Sequence, residues 1–326
     1  MEARVVEVRR QLADGLLGES GAMAIRQALI ERGETRVPAV RTIGRILERH
    51  GLLDARRRVR RPAPPAGWYL PEVAARRVEL DSFDAIVGLR MFGGADVEVL
   101  TAMSVHGGLA GAWPSSSVVS PFVTERLIEH WRAIGLPGYA QFDNDTRFLG
   151  THGQTDVLGP VPRLCLALGV TPVYAPIREH GFQASIEAFN GLWQARVWKR
   201  SFGLDLAGLV ELSERYIAAH RERRAVRIEA APARARFHLP PPRPGPPSGR
   251  VIFIRRTTIA GRVDVLGRLY DVDRHWLQRL VRAELDLDAR QIRFHALRRR
   301  DPADQRLLAV VPYALPSRRV WVTRTY

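Results

Sequence analysis

The spacing of apolar residues changes its period along the chain. At the start, apolar side chains recur three and four positions apart, which predicts amphipathic helices at 2–14, 20–32 and 38–50. Further along, apolar residues alternate with polar ones or form short runs, which predicts strands at 76–88, 97–105, 108–113, 139–142 and 170–174. Helical spacing returns between and after these strands, at 115–135, 161–169 and 182–198.

The order of elements in the middle of the chain is strand-strand-strand-helix-strand-helix-strand-helix. This order predicts an α/β core, a mixed five-stranded sheet with flanking helices. After it, short β-rich runs punctuated by glycines predict a small antiparallel β-barrel. Proline-rich stretches separate the regions, so we expect three domains, at 1–62, 68–238 and 250–326.

The three N-terminal helices predict a helix-turn-helix domain that binds DNA. The third carries Arg41, Arg45 and Arg49 at helical spacing, on a side able to face a groove. A basic run directly after it can lie along phosphates, and includes Arg56, Arg57 and Arg58. The same helix pattern is also compatible with an ordinary three-helix bundle.

The distribution of charge favours a nucleic-acid partner. The chain has a formal net charge of +16, of which residues 1–66 carry +6, residues 67–240 carry 0 and residues 241–326 carry +10. Basic ends around a neutral middle are typical of a protein that holds DNA at its ends. A compositional bias toward arginine is the alternative, since Lys199 is the only lysine.

The composition also argues against several classes of protein. No run of apolar residues is long enough for a membrane span, and the N-terminus has no apolar signal core. Cys165 is the only cysteine, which excludes a disulfide within the chain and a cysteine metal site. We therefore expect a cytoplasmic, nucleoid-associated prokaryotic protein without a membrane partner.

Three acidic residues are the candidates for chemistry. Asp81 lies in the first predicted strand, Asp143 closes the fourth, and Glu187 lies in the helix after the fifth. Carboxylates are the ligands that Mg²⁺ prefers, and two such ions are suited to phosphoryl transfer. If the three residues converge, they form a site that can cut and join nucleic acid.

A family resemblance supports these residues. Asp143 is followed by an asparagine after the fourth strand, and Glu187 stands in a Glu-x-Phe-Asn pattern. In these features the chain resembles the insertion-sequence transposases and retroviral-type integrases, which carry a D-D-E triad on a ribonuclease H-like fold. The resemblance implies that Asp81 bridges two Mg²⁺ or Mn²⁺ ions, and that Asp143 and Glu187 each bind one.

The resemblance also implies an activity and partners. The chain would be a Mg²⁺-dependent polynucleotidyl transferase of a mobile element, which hydrolyses 3′ ends and transfers strands. Its partners would be double-stranded DNA, as element ends and target, and further copies of itself in a dimer or larger synaptic complex. Basic residues that follow Glu187 at helical spacing predict contacts with the DNA backbone, namely Arg196, Lys199 and Arg200.

Other residues compete for these roles. Asp84 lies on the opposite strand face from Asp81, and Asp145 follows closely after Asp143. Glu179 is nearer than Glu187 to the family's usual spacing from Asp143, although it precedes the helix. His180 can orient a phosphate or water, or be a loop residue without such a role.

Departures from the family pattern leave a second function open. Asp145 and Ala188 occupy positions where the family usually has glycine and arginine, and the interval from Asp143 to Glu187 is long. A domesticated, non-catalytic DNA-binding protein with a transposase-derived core is compatible with these departures. A structure-selective nuclease on the same fold is the third candidate.

Overall fold

A computed structural model describes residues 1–14, 20–53, 64–150, 155–177, 179, 181–239 and 246–314. Within these ranges the chain forms two compact units. The first contains the described residues up to 53 together with 256–263 and 269–280, and the second contains the remainder. Every helix in the described ranges is too short or too polar to span a lipid bilayer.

The first unit contains three helices that pack around a common apolar core. They are α1 (Glu2–Asp14), α2 (Ala22–Glu31) and α3 (Val40–Arg49). Apolar side chains three and four positions apart meet in this core, which comprises Val5, Val8, Ile25, Ala28, Leu29, Ile43, Ile46 and Leu47. The helices lie where the apolar spacing predicts them, and their role as a DNA-binding helix-turn-helix stays a prediction.

Part of the C-terminal region belongs to this first unit. Glu31, at the end of α2, lies 3.8 Å from the guanidinium of Arg274 and 4.0 Å from the imidazole of His275. The unit therefore includes residues far along the chain, and the domain bounds 1–62 stay a prediction.

The second unit is a mixed α/β structure built on a large sheet. Its strands are β1 (Leu80–Arg90), β2 (Asp96–Ser104), β3 (Ala110–Ser115), β4 (Tyr139–Phe142), β5 (Thr171–Tyr174), β6 (Arg250–Arg256), β9 (Leu280–Asp286), β10 (Gln291–Leu297) and β11 (Leu307–Pro312). The strand order is β11-β10-β9-β6-β5-β4-β1-β2-β3. β1, β2 and β3 are antiparallel neighbours, whereas β4 is parallel to both β1 and β5. The predicted mixed sheet of five strands is therefore present.

The separate C-terminal barrel predicted at 250–326 is not confirmed. β6 pairs in parallel with β5 and continues the core sheet, and β9, β10 and β11 extend it further. Only β7 (Arg262–Val265) and β8 (Arg268–Asp271) form a separate two-stranded sheet among the described residues. The short β-rich runs predict strands correctly, but their pattern does not specify the strands with which they pair.

Helices cover the sheet and complete the unit. They are α4 (Pro71–Ala74), α5 (Ser120–Ile134), α6 (Thr146–Leu149), α7 (Pro160–Ala167), α8 (Ala184–Arg196), α9 (Leu206–Glu222) and α10 (Ala225–Glu229), with a short 3₁₀ helix (Trp198–Arg200) after α8. Side chains of α8, such as Ile186 and Trp193, pack in one cluster with Ile86 of β1. On the other face of β1, Phe83 packs against Trp131 of α5, with ring centroids 5.8 Å apart. Alternate residues of β1 thus face different helices.

We predict that a fragment of residues 64–248, which lacks β6 to β11, does not unfold cooperatively. Without β6 the edge of β5 is unpaired, and an unpaired edge promotes association between chains. Thermal unfolding followed by circular dichroism, compared with the whole chain, measures this loss. A fragment that melts cooperatively within about 5 °C of the whole chain, a shift worth only ~1–2 kcal/mol, would contradict the continuous sheet.

Candidate active site

The parallel pairing of β1 with β4 brings two carboxylates to the same level of the sheet. The register pairs Ser82 with Gln141. Two residues further along both strands, Asp84 comes level with Asp143, beyond a pair of phenylalanines that stack with centroids 5.4 Å apart. Adjacent strands are about 4.8 Å apart, so the two acids are neighbours.

Asp84 extends toward the sheet face that α8 covers. The side-chain amide of Asn190 in α8 donates a hydrogen bond to Oδ2 of Asp84 at 2.8 Å. The main-chain N–H of Ala85 donates to Oδ1, also at 2.8 Å. Burial raises the pKa of Asp84 from 3.8 to about 6, and the charges of Asp143 and Glu187 act in the same direction. Acids from β1, the end of β4 and α8 therefore share one electrostatic environment.

Asp143 follows the last residue of β4 and is held by its own loop. Its Oδ1 accepts the main-chain N–H of Asp145 at 3.0 Å. Burial raises the pKa of Asp143 above its usual value, and that hydrogen bond partly opposes the change. The adjacent Asn144 donates to the carbonyl of Ala175 at 2.6 Å and accepts from Arg255 at 2.7 Å. Asn144 thus anchors the loop, so that Asp143 keeps a defined position at the end of the strand.

Glu187 lies in the first turn of α8, where its side chain is exposed. The next turn carries two residues of the Glu-x-Phe-Asn pattern, both buried. Phe189 packs in the core between α8 and the sheet, and Asn190 donates to Asp84. The pattern therefore has a physical basis. Phe189 fixes the helix against the sheet, Asn190 orients Asp84, and Glu187 stays exposed in the first turn of α8.

Asp81 occupies a different position from the one expected for the first metal ligand. It is 1% exposed and lies on the β1 face opposite Asp84, where α5 packs. Its Oδ1 and Oδ2 accept from Arg234 at 2.5 and 3.0 Å, and Trp131 Nε1 donates to Oδ2 at 3.1 Å. A fully buried, ion-paired carboxylate on that face does not share the environment of Asp143 and Glu187, and the role of Asp81 as a metal ligand stays a prediction.

The remaining competitors have separate roles or are not described. Asp145 caps α6, accepting the N–H of Arg147 at 2.9 Å and pairing with its Nε at 3.0 Å. Burial acts to raise the pKa of Asp145, but these bonds to Arg147 outweigh it and lower the pKa. Glu179 precedes α8 and is half-buried, whereas His180 lies outside the described residues.

The residues predicted to contact DNA are exposed wherever the structure describes them. Arg41, Arg45 and Arg49 lie on the surface of α3, and Arg49 pairs with Glu2 at 3.1 Å. At the other end of α8 from Glu187, the exposed cations are Arg196, Lys199 and Arg200. The run that includes Arg56, Arg57 and Arg58 lies outside the described residues.

The donors around Asp84 suit a hard cation. Asp84, Asp143 and Glu187 offer only carboxylate oxygens, the donor type that Mg²⁺ and Mn²⁺ prefer. Asn190 is 8% exposed, and its Oδ1 has no hydrogen-bond partner among the described residues, which leaves an oxygen for a cation's water shell. No three acidic, histidine or cysteine side chains in the described ranges are already close enough to enclose a metal ion. The three carboxylates therefore have the donor type that the ion prefers, but they must move closer together to enclose it.

Two supporting residues were not found from the sequence. Arg234 pairs with Asp81 across more than 150 positions, and no local pattern links them. Arg255 lies in a β-rich run and is buried, yet it donates to Asn144 of the candidate site. Burial lowers the pKa of Arg255 to about 10, so it stays a cation at neutral pH. An arginine that directly follows the apolar run 251–254 on a strand was the available signal.

Comparison with known proteins leaves the family open. No protein-family model and no curated protein matches the chain. Among solved structures, it is similar to the catalytic core of BIV integrase, with a TM-score of 0.31 and 15% identity over 41% of this chain and 80% of that one. It is also similar to the HTLV-2 integrase core in complex with magnesium, in a trimeric form, with a TM-score of 0.32 and 12% identity over 41% and 80% of the two chains. TM-scores this low do not establish a shared fold.

We predict opposite effects on stability from the same substitution at the two β1 acids. Asp81→Asn leaves a buried guanidinium without its anion and should lower the free energy of unfolding by about 3–5 kcal/mol. Asp84→Asn removes a carboxylate that lies near two others, and should leave this free energy unchanged or raise it. Urea unfolding at pH 7.5 without divalent cations distinguishes the two. A neutral Asp81→Asn would contradict the structural role of that ion pair.

The pKa of Asp84 predicts a pH dependence of stability. The folded-state pKa of about 6 lies above the ordinary aspartate value of 3.8, so between these values the native state binds more protons than the unfolded chain. The contribution of Asp84 to the free energy of unfolding therefore falls as pH rises from about 4 to about 6 and is level above that. Urea titrations from pH 4 to pH 8, with Asp84→Asn as the reference, measure this contribution of Asp84 to the free energy of unfolding. If the free energy of unfolding depends on pH in the same way in the unchanged protein and in Asp84→Asn, the raised pKa of Asp84 is refuted.

Proposed function

We propose that this protein is a divalent-metal-dependent polynucleotidyl transferase that cuts and joins DNA, acting as a transposase or integrase of a mobile element. The observation that carries the proposal is the register of β1 with β4, which brings Asp84 level with Asp143 on the face that α8 covers, where the charges of Asp143 and Glu187 both act on Asp84. These acids come from the first strand, the end of the fourth strand and the helix after the fifth strand of one mixed sheet. Their chemistry suits phosphoryl transfer better than any other set of described side chains.

The positions of the acids determine which residues would bind the metal ions. Asp84 replaces Asp81 as the first ligand, because Asp84 is level with Asp143 and faces α8. Two Mg²⁺ or Mn²⁺ ions, when bound, would activate the attacking hydroxyl and stabilise the leaving oxygen at the scissile phosphate. Asp84 and Asp143 would bind these ions from the sheet, and Glu187 would bind them from the first turn of α8.

Asn190 would keep the first ligand in place. Its amide donates to Oδ2 of Asp84 while the main-chain N–H of Ala85 donates to Oδ1, so that both carboxylate oxygens are oriented. A hydrogen bond to the charged form favours that form, so Asn190 limits the rise in the pKa of Asp84. Near neutral pH the carboxylate is then mostly ionised and ready to bind a cation.

The DNA itself would be held by basic residues, because residues 67–240 carry no net charge. Arg196, Lys199 and Arg200 are suited to backbone phosphates near α8, and Arg41, Arg45 and Arg49 to a groove. The partner would be double-stranded DNA, both as element ends and as target. Self-association into a dimer or larger synaptic complex belongs to the same proposal.

A non-catalytic DNA-binding protein is the second candidate. It is favoured by the exposed position of Glu187 and by the lack of any compact metal-binding cluster among the described residues. Such a protein would bind DNA equally well with and without divalent cations and would leave the strands intact.

We predict strand cleavage or joining when the protein is incubated with Mn²⁺ and DNA carrying the sequences that flank its gene. Asp84→Asn, Asp143→Asn and Glu187→Gln should each reduce product formation by more than about a hundredfold, because even residues that only support metal ligands cost 10–100-fold. Binding to the same DNA, measured without cations, should stay within about twofold of the unchanged protein, far below the effect of losing several phosphate contacts.

Two variants serve as matched controls for this assay. Asp145→Asn changes an acid in the same loop, and because asparagine also caps helices it should retain activity. Glu179→Gln tests the competing third ligand. Loss of activity in Glu179→Gln with full activity in Glu187→Gln would reassign that ligand, and full activity in all three site variants would favour the non-catalytic protein.

A further inference from the structure

Two phenylalanine side chains lie against each other on the surface of the second unit. Phe92 is 75% exposed and Phe202 is 81% exposed. Their ring centroids are 5.0 Å apart and their planes are inclined by 58°. Contact with each other thus buries little of either ring, and most of their aromatic surface faces solvent. Large exposed apolar groups that cluster are typical of a binding surface.

Both rings are held by hydrogen-bonded turns. Phe92 lies in the turn between β1 and β2, which the N–H of Met91 closes by donating to Ala95 O at 2.8 Å. Phe202 lies just after the 3₁₀ helix, in a turn closed by the N–H of Leu204, which donates to Ser201 O at 3.0 Å. Since the turns fix the backbone, the rings are presented to solvent at little further entropic cost on binding.

The core beneath the pair does not require these rings. Partly buried neighbours in sequence already pack on the apolar cluster between the sheet and α8, namely Leu89, Met91, Trp198 and Leu206. Phe92 and Phe202 are absent from that cluster and remain outside it. Their large side chains are therefore not explained by packing within the unit.

The surroundings of the pair are cationic. Between positions 196 and 205 the chain has three basic residues and one acid, Asp205, whose carboxylate accepts the N–H of Gly208 at 2.8 Å, so this side of the pair carries a net positive charge. Lys199 and Arg200, directly before the second ring, are exposed. The cation nearest in sequence to Phe92 is Arg90, which pairs with Asp96 at 3.0 Å in full solvent. Aromatic rings beside exposed cations are complementary to nucleic acid, whose bases stack and whose phosphates are anionic.

The pair lies at the far end of the two elements that carry the candidate ligands. Along β1, Arg90 is six residues beyond Asp84, about 20 Å at the rise of a strand. Along α8, Arg196 is nine residues beyond Glu187, about 13 Å at the rise of a helix. A DNA strand that reaches from the acids to the rings would therefore cover about 20 Å along β1.

We propose that Phe92 and Phe202 form a stacking platform for unpaired bases of the DNA that occupies the candidate active site. This inference rests on the proposed function and names the form of its substrate: a strand locally separated from its complement. Duplex DNA keeps its base faces stacked inside the helix, so the rings would gain little from it. A second copy of this chain is a poorer occupant, because a twofold contact through this surface would bring Lys199 and Arg200 of both copies together.

Binding of labelled oligothymidine, measured by fluorescence anisotropy in EDTA, tests the platform. Phe92→Ala and Phe202→Ala should each weaken this binding by roughly 5- to 100-fold, the range expected for loss of one base–aromatic stack. Blunt duplex DNA of the same length should bind to all variants within about twofold, because its phosphate contacts are unchanged. Phe202→Trp should retain the affinity for the single strand.

Val226→Ala is the matched control, since Val226 is 82% exposed in the same unit but lies outside the pair. Equal affinity for oligothymidine in the unchanged protein and both alanine variants would overturn the inference. So would an equal loss for single and double strands, or conversion of a dimer to a monomer in sedimentation by Phe92→Ala, which would identify a second copy as the occupant.

Because the oligothymidine assay is done in EDTA, without divalent cations, it tests the stacking platform separately from the proposed enzymatic function. If the rings contribute to oligothymidine binding but no DNA is cut when Mn²⁺ is added, the platform stands and the enzymatic proposal fails. If strands are cut and joined while alanine at either ring leaves oligothymidine binding unchanged, the enzymatic proposal stands and the platform fails.

Discussion

The parallel, in-register pairing of β1 with β4 is the constraint on which the candidate site depends. Because side chains alternate across a strand, this register determines that Asp84, and not Asp81, comes level with Asp143 on the face that α8 covers. A shift of one residue would turn every β1 side chain to the opposite helix. The stacked phenylalanines between the two strands, and the anchoring of Asn144 by Arg255, oppose such a shift.

The two acids of β1, Asp81 and Asp84, have opposite electrostatic environments. The charge of Asp81 is neutralised by Arg234, so it is used to hold two distant parts of the chain together. Asp84 has no ion-pair partner among the described residues and lies near two further negative charges. A partly buried anion without a counter-ion is costly for the fold, and its presence is the physical reason to expect an external cation there.

The sequence predicted elements well and their partners poorly. Apolar spacing located α1, α2, α3 and the five core strands, and the Glu-x-Phe-Asn pattern located Glu187. The resemblance assigned the first ligand to Asp81 rather than Asp84. The apolar pattern could not test that choice, because β1 buries Phe83 on one face and Ile86 on the other, and a strand buried on both faces has no alternation that identifies its functional side. The β-rich runs after 250 predicted strands, but joining the core sheet depends on the free edge of β5, which no local pattern reveals.

The pairing of β5 with β6 also affects how the protein is made. About 75 residues separate the two strands, so a ribosome adding roughly 5–20 residues per second completes β6 several seconds after β5. During that interval the nascent chain exposes an apolar strand edge, although all three candidate ligands are synthesised before β6. Synthesis at lower temperature, or with a chaperone that shields strand edges, should therefore increase the soluble yield more than changes to the surface of the finished protein.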